Sequence, residues 1–267
     1  LIVSMFTFGL IGTGLLSSTL HLGHPERAWR ALSQWRSSWL SREGVLAVLV
    51  LSLLTAWFGW SYLKGGVPFW IGLPLVFLIA VTVYATSMIY ASLKTVACWH
   101  HPLTPVCYLM FAASGGLLAS IWLLALADQS LSSKIYHLTY CLLIVAWLVK
   151  GFWWRNLDKK LPESTLESAT GLGSFGKVRS LMLPHTSENY LQTEMGFVVA
   201  RRHALKLRVL SICSGGFIPL VLFISYPSSA VLLGVALSFH SVGVFIERWL
   251  FFAEAKHVVS LYYGEAH

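Results

Sequence analysis

Long apolar runs without a charged side chain constrain the fold of this sequence more than any other feature. The longest, Val209 to Ile246, covers 38 residues without Asp, Glu, Lys or Arg, and Tyr226 to Ser229 marks a turn in its middle. A helix needs about 20 apolar residues to cross the hydrocarbon core of a bilayer, so this run is long enough for two spans. Only 11% of all residues are charged, whereas soluble domains carry about 25%. The sequence therefore predicts a membrane protein.

Four further charge-free runs are long enough for a span: Leu1 to Leu20, Gly44 to Leu63, Gly65 to Leu93 and Thr95 to Ala127. We predict an all-α fold, a polytopic integral membrane helix bundle that forms a single domain over 1–267. Its seven helices are roughly Leu1–Leu20, Glu43–Leu63, Phe69–Leu93, Pro105–Leu126, Ile135–Trp154, Leu207–Tyr226 and Ser229–Phe252. Because the sequence begins inside an apolar run and without Met, we expect further residues before Leu1.

The only long polar stretch is 155–206, between the fifth and sixth predicted helices. Backbone polar groups cannot stay unsatisfied in lipid, so this loop must lie outside the hydrocarbon. Lysine and arginine are concentrated in the connections after the odd-numbered helices, whereas the opposite side has only Lys64 and Lys134. The positive-inside rule therefore predicts that the long loop is cytoplasmic. Topology and lipid headgroups account for the net charge of +8, and we expect no nucleic-acid partner.

A polar cassette, Leu20 to Trp29, follows the first predicted helix and places His21 at the membrane surface. Histidine has an unperturbed pKa of about 6.5 and can exchange a proton at cellular pH. A quinone needs such a partner, because its reduction or oxidation moves two protons. Gly23 and Pro25 turn the backbone, and Arg27 is then close enough to pair with a carboxylate or polarise an oxygen. The alternative is an interfacial histidine that bonds only to headgroups or backbone.

Glu43, at the start of the second predicted helix, has two interpretations. It is either a first-turn acid that complements the helix dipole, with Ser41 as the N-cap, or a carboxylate of a proton relay.

Tyr90 lies near the same membrane face, either in the interfacial aromatic belt or as a hydrogen-bond donor to a quinone carbonyl. Glu247 and Arg248, near the end of the last helix, form either an internal ion pair or a wall of a quinone pocket.

Other cofactor sites have weaker support. The four cysteines form no CxxC pair, which argues against a cysteine metal site. His240 lies in the middle of a helix, but a haem within the membrane needs a second histidine at matching depth. We therefore expect no haem there, while a haem nearer one surface stays open. Gly171 to Gly176 matches GxGxxG but lacks the preceding buried strand of a dinucleotide site, so we expect no nucleotide.

Three blocks of residues resemble the membrane anchor subunits of the dimethyl sulfoxide reductase family. The first block contains Leu20-His21-Leu22-Gly23, Pro25, Arg27-Ala28, Leu40-Ser41 and Glu43. The second contains Tyr90, Thr95-Val96, Trp99 and Thr104-Pro105, and the looser third contains Arg248 and Phe251-Phe252. The resemblance extends over the first two-fifths of the sequence well and over its end loosely.

The resemblance implies eight helices, the seven predicted here and one before them. It implies that the bound cofactor is a quinone, either menaquinone or ubiquinone, and that no haem is bound in this protein. Iron–sulfur clusters and molybdopterin would belong to two partner subunits, an electron-transfer subunit and a catalytic subunit. This protein would contribute the quinone site of an oxidoreductase complex, and not its substrate-converting centre. The quinone-binding residues implied are His21, Arg27, Glu43, Tyr90 and Arg248.

The long loop departs from the enteric members and looks like the branch that includes anchors of cytoplasmic sulfite dehydrogenases. We therefore favour sulfite:quinone oxidoreduction in the bacterial inner membrane, with the partner subunits on the cytoplasmic side. The alternative is an anchor of a dimethyl sulfoxide, or other S- or N-oxide, reductase that oxidises menaquinol. The loop is predicted to dock the iron–sulfur subunit through Gly171, Gly173, Lys177, Arg179, Arg201 and Arg202.

Two functions of another class are alternatives. Transporters often contain inverted repeats and helices broken near the membrane midplane. No convincing repeat is present, and Pro74 is the only plausible interior break. A purely structural tether would leave quinone binding to another subunit.

Overall fold

The computed structural model describes residues 2–20, 24–66, 68–129, 131–159, 165–179, 181–182, 198–258 and 261. Within these ranges all regular structure is helical. Backbone N–H and C=O groups in lipid must be satisfied within the segment that carries them, and a helix achieves this for an apolar run. The prediction of an all-α, polytopic membrane bundle is confirmed.

In the described part of the chain, six helices are long and apolar enough to cross a membrane. They are α2 (Trp39–Lys64), α3 (Phe69–Ala91), α4 (Leu103–Leu126), α5 (Ser133–Lys159), α8 (Ala204–Ser225) and α9 (Ala230–Ala253). The first predicted helix is also present, as the apolar helix α1 (Ile2–Leu20). Between these helices, the described residues also form a 3-10 helix (Pro25–Gln34) and the short helices α6 (Leu166–Thr170) and α7 (Val198–Arg202).

The start of α2 differs from the sequence prediction. The helix begins at Trp39, and the Ser38 side chain accepts a hydrogen bond from the Ser41 backbone N–H at 3.4 Å. Ser38 is therefore the N-cap, and the prediction that Ser41 caps the helix is wrong. The Ser41 hydroxyl instead donates to the Ala31 carbonyl in the 3-10 helix. Helical structure also extends into both ends of the 155–206 stretch, because α5 continues to Lys159 and α7 begins at Val198.

α8 is irregular in its middle, where Cys213–Phe217 forms a π-helical turn just before Pro219. α8 and α9 approach closely here, because a Cβ on Gly215 would lie 3.0 Å from Gly243 Cα. Only glycines allow backbones to meet at this separation. α3, by contrast, continues through Pro74 without a break. Pro74, the one plausible interior break in the sequence, therefore does not interrupt its helix, and among the described spans the irregular one is α8.

Contacts between side chains bring the start of α2, the end of α3, the ends of α5 and α9 and the start of α8 together at one end of the bundle. We call this the loop end, because the described loop segment 165–179 follows α5 there. The contacts that define it are Glu43–Thr86, Lys150–Glu247, Arg208–Asp158 and Arg208–Glu254.

Candidate functional site

Glu43 lies in the second turn of α2 and is bound by α3. The Thr86 hydroxyl donates a hydrogen bond to Glu43 Oε1 at 2.6 Å. The first turn of α2 contains no acidic residue, so the interpretation of Glu43 as a first-turn acid is wrong. The side chain is half-buried at a contact between two helices. It is therefore a carboxylate held in a fixed orientation at the loop end.

The 3-10 helix, which contains the end of the cassette, packs against the start of α2 beside Glu43. Arg42 Nε donates to the Trp35 carbonyl at 3.0 Å. Leu32 approaches Gly44 so closely that a Cβ on that glycine would lie 2.8 Å from Leu32 Cδ2. The cassette that follows α1 is thereby joined to the helix that carries Glu43.

Two predicted site residues lie in the cassette. His21 lies outside the described residues. The Arg27 side chain is 60% exposed, and its Nε is 3.8 Å from Glu26 Oε1. His24 Nδ1 is 3.0 Å from the same oxygen. The structure therefore places Arg27 with exposed polar groups of the cassette and does not bring it to Glu43.

Tyr90 belongs to a group of five rings that we call the aromatic cluster: Tyr90, Trp99, Tyr108, Phe251 and Phe252. The Tyr90 centroid lies 5.2 Å from Trp99, 5.5 Å from Phe251 and 5.4 Å from Phe252, all edge-to-face. Tyr108 stacks on Tyr90 at 6.2 Å. Both arrangements are favourable for aromatic quadrupoles. The cluster joins α3, α4, α9 and the connection between α3 and α4.

Hydrogen bonds fix that connection to the end of α9. Trp99 Nε1 donates to the Phe251 carbonyl at 2.8 Å, and the Thr104 hydroxyl donates to the Trp99 carbonyl at 2.9 Å. The Val258 amide donates to the Thr95 carbonyl at 3.0 Å. These bonds bring the second and third blocks of resembling residues together, although they are far apart in the sequence.

A buried charged triad, Lys150 of α5 with Glu247 and Arg248 of α9, lies next to the aromatic cluster. Lys150 Nζ is 2.5 Å from Glu247 Oε1, and the two side chains are only 1% and 0% exposed. Arg248 donates to the same carboxylate from Nε at 2.5 Å and from Nη2 at 2.7 Å. Its guanidinium also lies over the rings of Tyr108 and Phe251, at 4.2 and 4.7 Å.

The triad contains two cationic side chains and one carboxylate, so in its fully charged form it has a net positive charge. A buried charge is costly unless it is paired and hydrogen-bonded. Arg248 Nη1 is nevertheless buried and has no hydrogen-bond partner among the described residues. Glu43 and Arg248 both lie within electrostatic range of Tyr90. This arrangement is suited to an electron-rich oxygen that approaches the guanidinium.

Sequence reasoning missed Lys150, Thr86 and Tyr108. Lys150 could have been identified from the sequence, because it is a lysine inside the fifth predicted membrane helix, Ile135–Trp154. Ionisable residues inside membrane spans are rare and usually functional. Thr86 and Tyr108 carried no comparable signal, because threonine and tyrosine are ordinary residues in such helices.

A second ionic network lies at the loop end around Arg208. Its Nη1 is 2.7 Å from Asp158 Oδ2, and its Nη2 is 2.8 Å from Glu254 Oε1. Burial raises the pKa of Glu254, although the guanidinium of Arg208 opposes this effect. The second carboxylate oxygen of Glu254, Oε2, is buried without a hydrogen-bond partner among the described residues.

The described loop segment 165–179 has a structure of its own. Thr165 and Ser168 form a capping box at the start of α6, and Gly171 ends the helix with a left-handed φ of 70°. The Glu167 carboxylate accepts a hydrogen bond from the Val178 amide at 3.1 Å. Backbone amides, its own and that of Val178, lower the pKa of Glu167. Gly173 also packs on this side chain, because a Cβ there would lie 3.2 Å from Glu167 Cβ.

The residues predicted to dock a partner fall into two groups. Lys177 and Arg179 are exposed on segment 165–179, where the Phe175 side chain is 87% exposed. Arg202 is exposed on α7. Arg201, by contrast, donates to the carbonyls of Ala253 and Ala255 at 3.0 and 2.9 Å and thereby holds α7 against the end of α9.

Among the described residues, no group of three or more His, Cys, Asp or Glu side chains could hold a metal ion. His240 Nδ1 lies 2.6 Å from the Gly215 carbonyl in the π-helical turn. Because a carbonyl only accepts, this nitrogen carries the proton. The same carbonyl accepts a bond from Trp147 Nε1 at 2.9 Å, so His240 has a structural partner at the contact of α5, α8 and α9.

Comparison with known proteins gives a consistent result. The family model described as "DMSO reductase anchor subunit (DmsC)" matches residues 1–264. The C subunit of the sulfite dehydrogenase of Allochromatium vinosum is 32% identical in an alignment of 293 positions, which covers 97% of this protein and 84% of that one. The C chain of the anaerobic dimethyl sulfoxide reductase of Escherichia coli is 32% identical over 124 residues, which cover 44% of this protein and 42% of that one. No solved structure matches.

Proposed function

Because this chain belongs to the family of dimethyl sulfoxide reductase anchor subunits, we propose that it binds a quinone at the loop end. The quinone exchanges electrons with an iron–sulfur subunit, which in turn serves a molybdopterin catalytic subunit. Three groups from α2, α3 and α9 support this site. The carboxylate of Glu43 and the guanidinium of Arg248 both lie within electrostatic range of the Tyr90 phenol, and Arg248 Nη1 has no hydrogen-bond partner among the described residues.

The three groups match the chemical needs of a quinone headgroup, menaquinone or ubiquinone. A quinone carbonyl accepts hydrogen bonds, which Arg248 Nη1 and the Tyr90 hydroxyl donate. The aromatic cluster provides rings against which the flat headgroup packs. Glu43 takes up or releases one of the two protons that accompany two-electron chemistry, with Thr86 holding its carboxylate. His21, which directly follows α1, exchanges protons with the solvent at the loop end.

Lys150 and Glu247 are positioning residues in this proposal. Glu247 binds Arg248 through both carboxylate oxygens, and Lys150 binds Glu247 in turn. This leaves Nη1 as the guanidinium nitrogen that has no hydrogen-bond partner in the described part of the structure. Electrostatic interactions are stronger in a low-dielectric interior. The net positive charge of the triad therefore stabilises a reduced, negatively charged form of the quinone.

Arg27 acts from the surface. It is exposed beside Glu26 and His24, within the cassette that also contains His21. In our proposal it tunes the proton exchange of His21 and does not touch the headgroup.

We favour sulfite oxidation coupled to quinone reduction, because the sulfite dehydrogenase relative aligns over 97% of this protein and the dimethyl sulfoxide reductase relative over 44%. The alternative direction is oxidation of menaquinol to reduce dimethyl sulfoxide or a related oxide. In both cases the loop end faces the cytoplasm of a bacterium, and the partner subunits dock there. The distribution of lysine and arginine supports this orientation.

The test compares two activities of the assembled complex: electron exchange with a quinone, and electron exchange with a soluble dye that bypasses the membrane subunit. We expect His21→Ala and Glu43→Gln to lower quinone-linked turnover about a hundredfold, a typical loss for a proton-transfer group. Dye-linked turnover should not change. The matched controls His24→Ala and Glu26→Gln alter exposed residues of the same cassette and should retain both activities. Normal quinone turnover in His21→Ala and Glu43→Gln would support a structural tether instead.

A further inference from the structure

A lipid-facing groove lies between α5 and α8, outside the proposed quinone site. Its volume is about 540 Å³, and its walls are apolar apart from Arg155 at one end. The lining residues are Leu143, Ile144, Trp147, Leu148, Gly151, Phe152, Arg155, Ile212, Gly216, Phe217 and Leu220. None of them belongs to the aromatic cluster or the charged triad.

Glycines and the π-helical turn create this groove. Gly216 lies in the turn, and a Cβ there would lie 2.8 Å from Trp147 Cδ1, so any larger residue would move that ring. Gly151 has nothing within 4 Å of its Cβ position and leaves open space on the α5 side. A π-helical turn displaces the residues around it, and such turns occur frequently at functional sites.

The groove has the length of one lipid leaflet. On α5 it extends from Leu143 to Arg155, which is about 18 Å at a rise of about 1.5 Å per residue. Half of a typical hydrocarbon core is about 15 Å. The groove is therefore long enough for a fatty acyl chain to lie along it while the headgroup of the lipid reaches Arg155.

Arg155 supplies a positive charge at the polar end of the groove. Its side chain is exposed and has no ion-pair partner among the described residues. The acid one turn further along α5, Asp158, is already bound by Arg208 Nη1 at 3.0 and 2.7 Å. Lys159 lies four residues after Arg155 and is exposed as well. The groove therefore ends in uncompensated positive charge, which favours an anionic headgroup.

We propose that this groove is a binding site for one anionic phospholipid of the leaflet at the loop end. The phosphate binds Arg155, and one acyl chain lies between α5 and α8. A quinone headgroup fits this groove poorly, because Trp147 Nε1 already donates to the Gly215 carbonyl and provides no free donor inside it. The inference does not depend on the proposed quinone chemistry. The ligand that we propose for Arg155 is phosphatidylglycerol or a related anionic lipid.

The experiment is native mass spectrometry of the purified complex, delipidated in detergent and titrated with phosphatidylglycerol or phosphatidylcholine of the same acyl length. We expect one phosphatidylglycerol to bind more tightly than phosphatidylcholine. Arg155→Gln should weaken phosphatidylglycerol binding about fivefold, the usual contribution of one basic residue at an anionic surface, and leave phosphatidylcholine unchanged. Lys134→Gln, at the other end of α5, is the matched control and should have no effect.

Groove-filling variants test the acyl chain separately. Gly151→Leu fits the open space and should abolish tight binding of phosphatidylglycerol, while Gly116→Leu, which also has nothing within 4 Å, is its control. Leu148→Trp fills the groove from another position if Gly151→Leu does not assemble. Equal binding of the two lipids by the wild type would overturn the proposal. It would also be overturned if Arg155→Gln had no effect, or if the groove-filling variants displaced quinone and not phospholipid.

Discussion

Glu247 is the residue on which the charge balance of the loop end depends. It is fully buried and binds two cations, Lys150 and Arg248, at 2.5 Å each. Removing a cation and removing the carboxylate are therefore not equivalent changes. Without Lys150 the carboxylate keeps Arg248 and forms a neutral pair. Without the Glu247 charge, two buried cations face each other.

This asymmetry gives a prediction for the free energy of unfolding. Glu247→Gln should destabilise the protein by about 3–5 kcal/mol, the usual cost of removing one partner of a buried ion pair. Lys150→Met should cost less than half as much, because Glu247 retains Arg248. Thermal unfolding of the complex in detergent measures both changes. Glu26→Gln, at an exposed ion pair, should be close to neutral, and an equal loss for Lys150→Met and Glu247→Gln would contradict the charge-balance argument.

Glu254 gives a prediction for the pH dependence of stability. Burial raises its pKa in the folded protein, whereas an unfolded polypeptide has a glutamate pKa of about 4.3. As the pH rises above about 4.3, the unfolded state loses this proton before the folded protein does, so the folded state loses stability. The Tm of Glu254→Gln, minus that of the wild type, should therefore become more positive between about pH 4 and pH 7. A constant or decreasing difference would show that the Arg208 pair outweighs burial.

Among the elements, α8 shows how the bundle accommodates an irregular helix. The Gly215 carbonyl accepts bonds from Trp147 of α5 and His240 of α9, so three helices meet at one backbone oxygen. Gly243 of α9 provides the space for this contact. No local sequence pattern predicts the π-helical turn, because its partners come from two other helices.

The close contact of α8 and α9 predicts a position-specific effect of adding one methyl group. Gly243→Ala would place its Cβ against the backbone of Gly215, so it should lower the Tm of the complex markedly and reduce its yield. Gly116→Ala, also in a membrane helix, adds a methyl group where nothing lies within 4 Å and should have little effect. Similar Tm values for the two variants would show that α8 and α9 can move apart without a loss of stability.

Segment 165–179 gives a prediction for partner binding. Its internal bonds, including the bond from the Val178 amide to Glu167, present Lys177 and Arg179 on an ordered surface. If this surface docks the iron–sulfur subunit, Lys177→Glu with Arg179→Glu should release that subunit from membranes, as should deletion of 163–196. Lys134→Glu, on the opposite side, should not. Retention of the subunit by the charge-reversed protein, measured by co-purification, would exclude docking through these residues.

At the scale of the whole molecule, the sequence was sufficient to predict the membrane helices, but it predicted only part of the candidate site. Charge-free runs predict the membrane spans, because an apolar segment in lipid must satisfy its own backbone hydrogen bonds and does so as a helix. Lys150 itself could have been noticed as a lysine within a predicted span, but its pairing with Glu247, 97 positions away on another helix, could not be predicted from the sequence. Arg27 was expected to lie close enough to pair with a carboxylate, and the carboxylate beside it is that of its sequence neighbour Glu26. The choice of Ser38 over Ser41 as the cap likewise depends on a tertiary bond, from Ser41 to Ala31.

The most direct test of the central claim is a density map of the assembled complex with its quinone bound. We predict that the headgroup lies within hydrogen-bond distance of Arg248 Nη1 and the Tyr90 hydroxyl, with Glu43 beside it. An iron–sulfur cluster of the partner subunit should lie within tunnelling distance on the same side of the membrane. Side chains filling the space between Glu43, Tyr90 and Arg248, with the nearest cluster across the membrane, would contradict the proposed function.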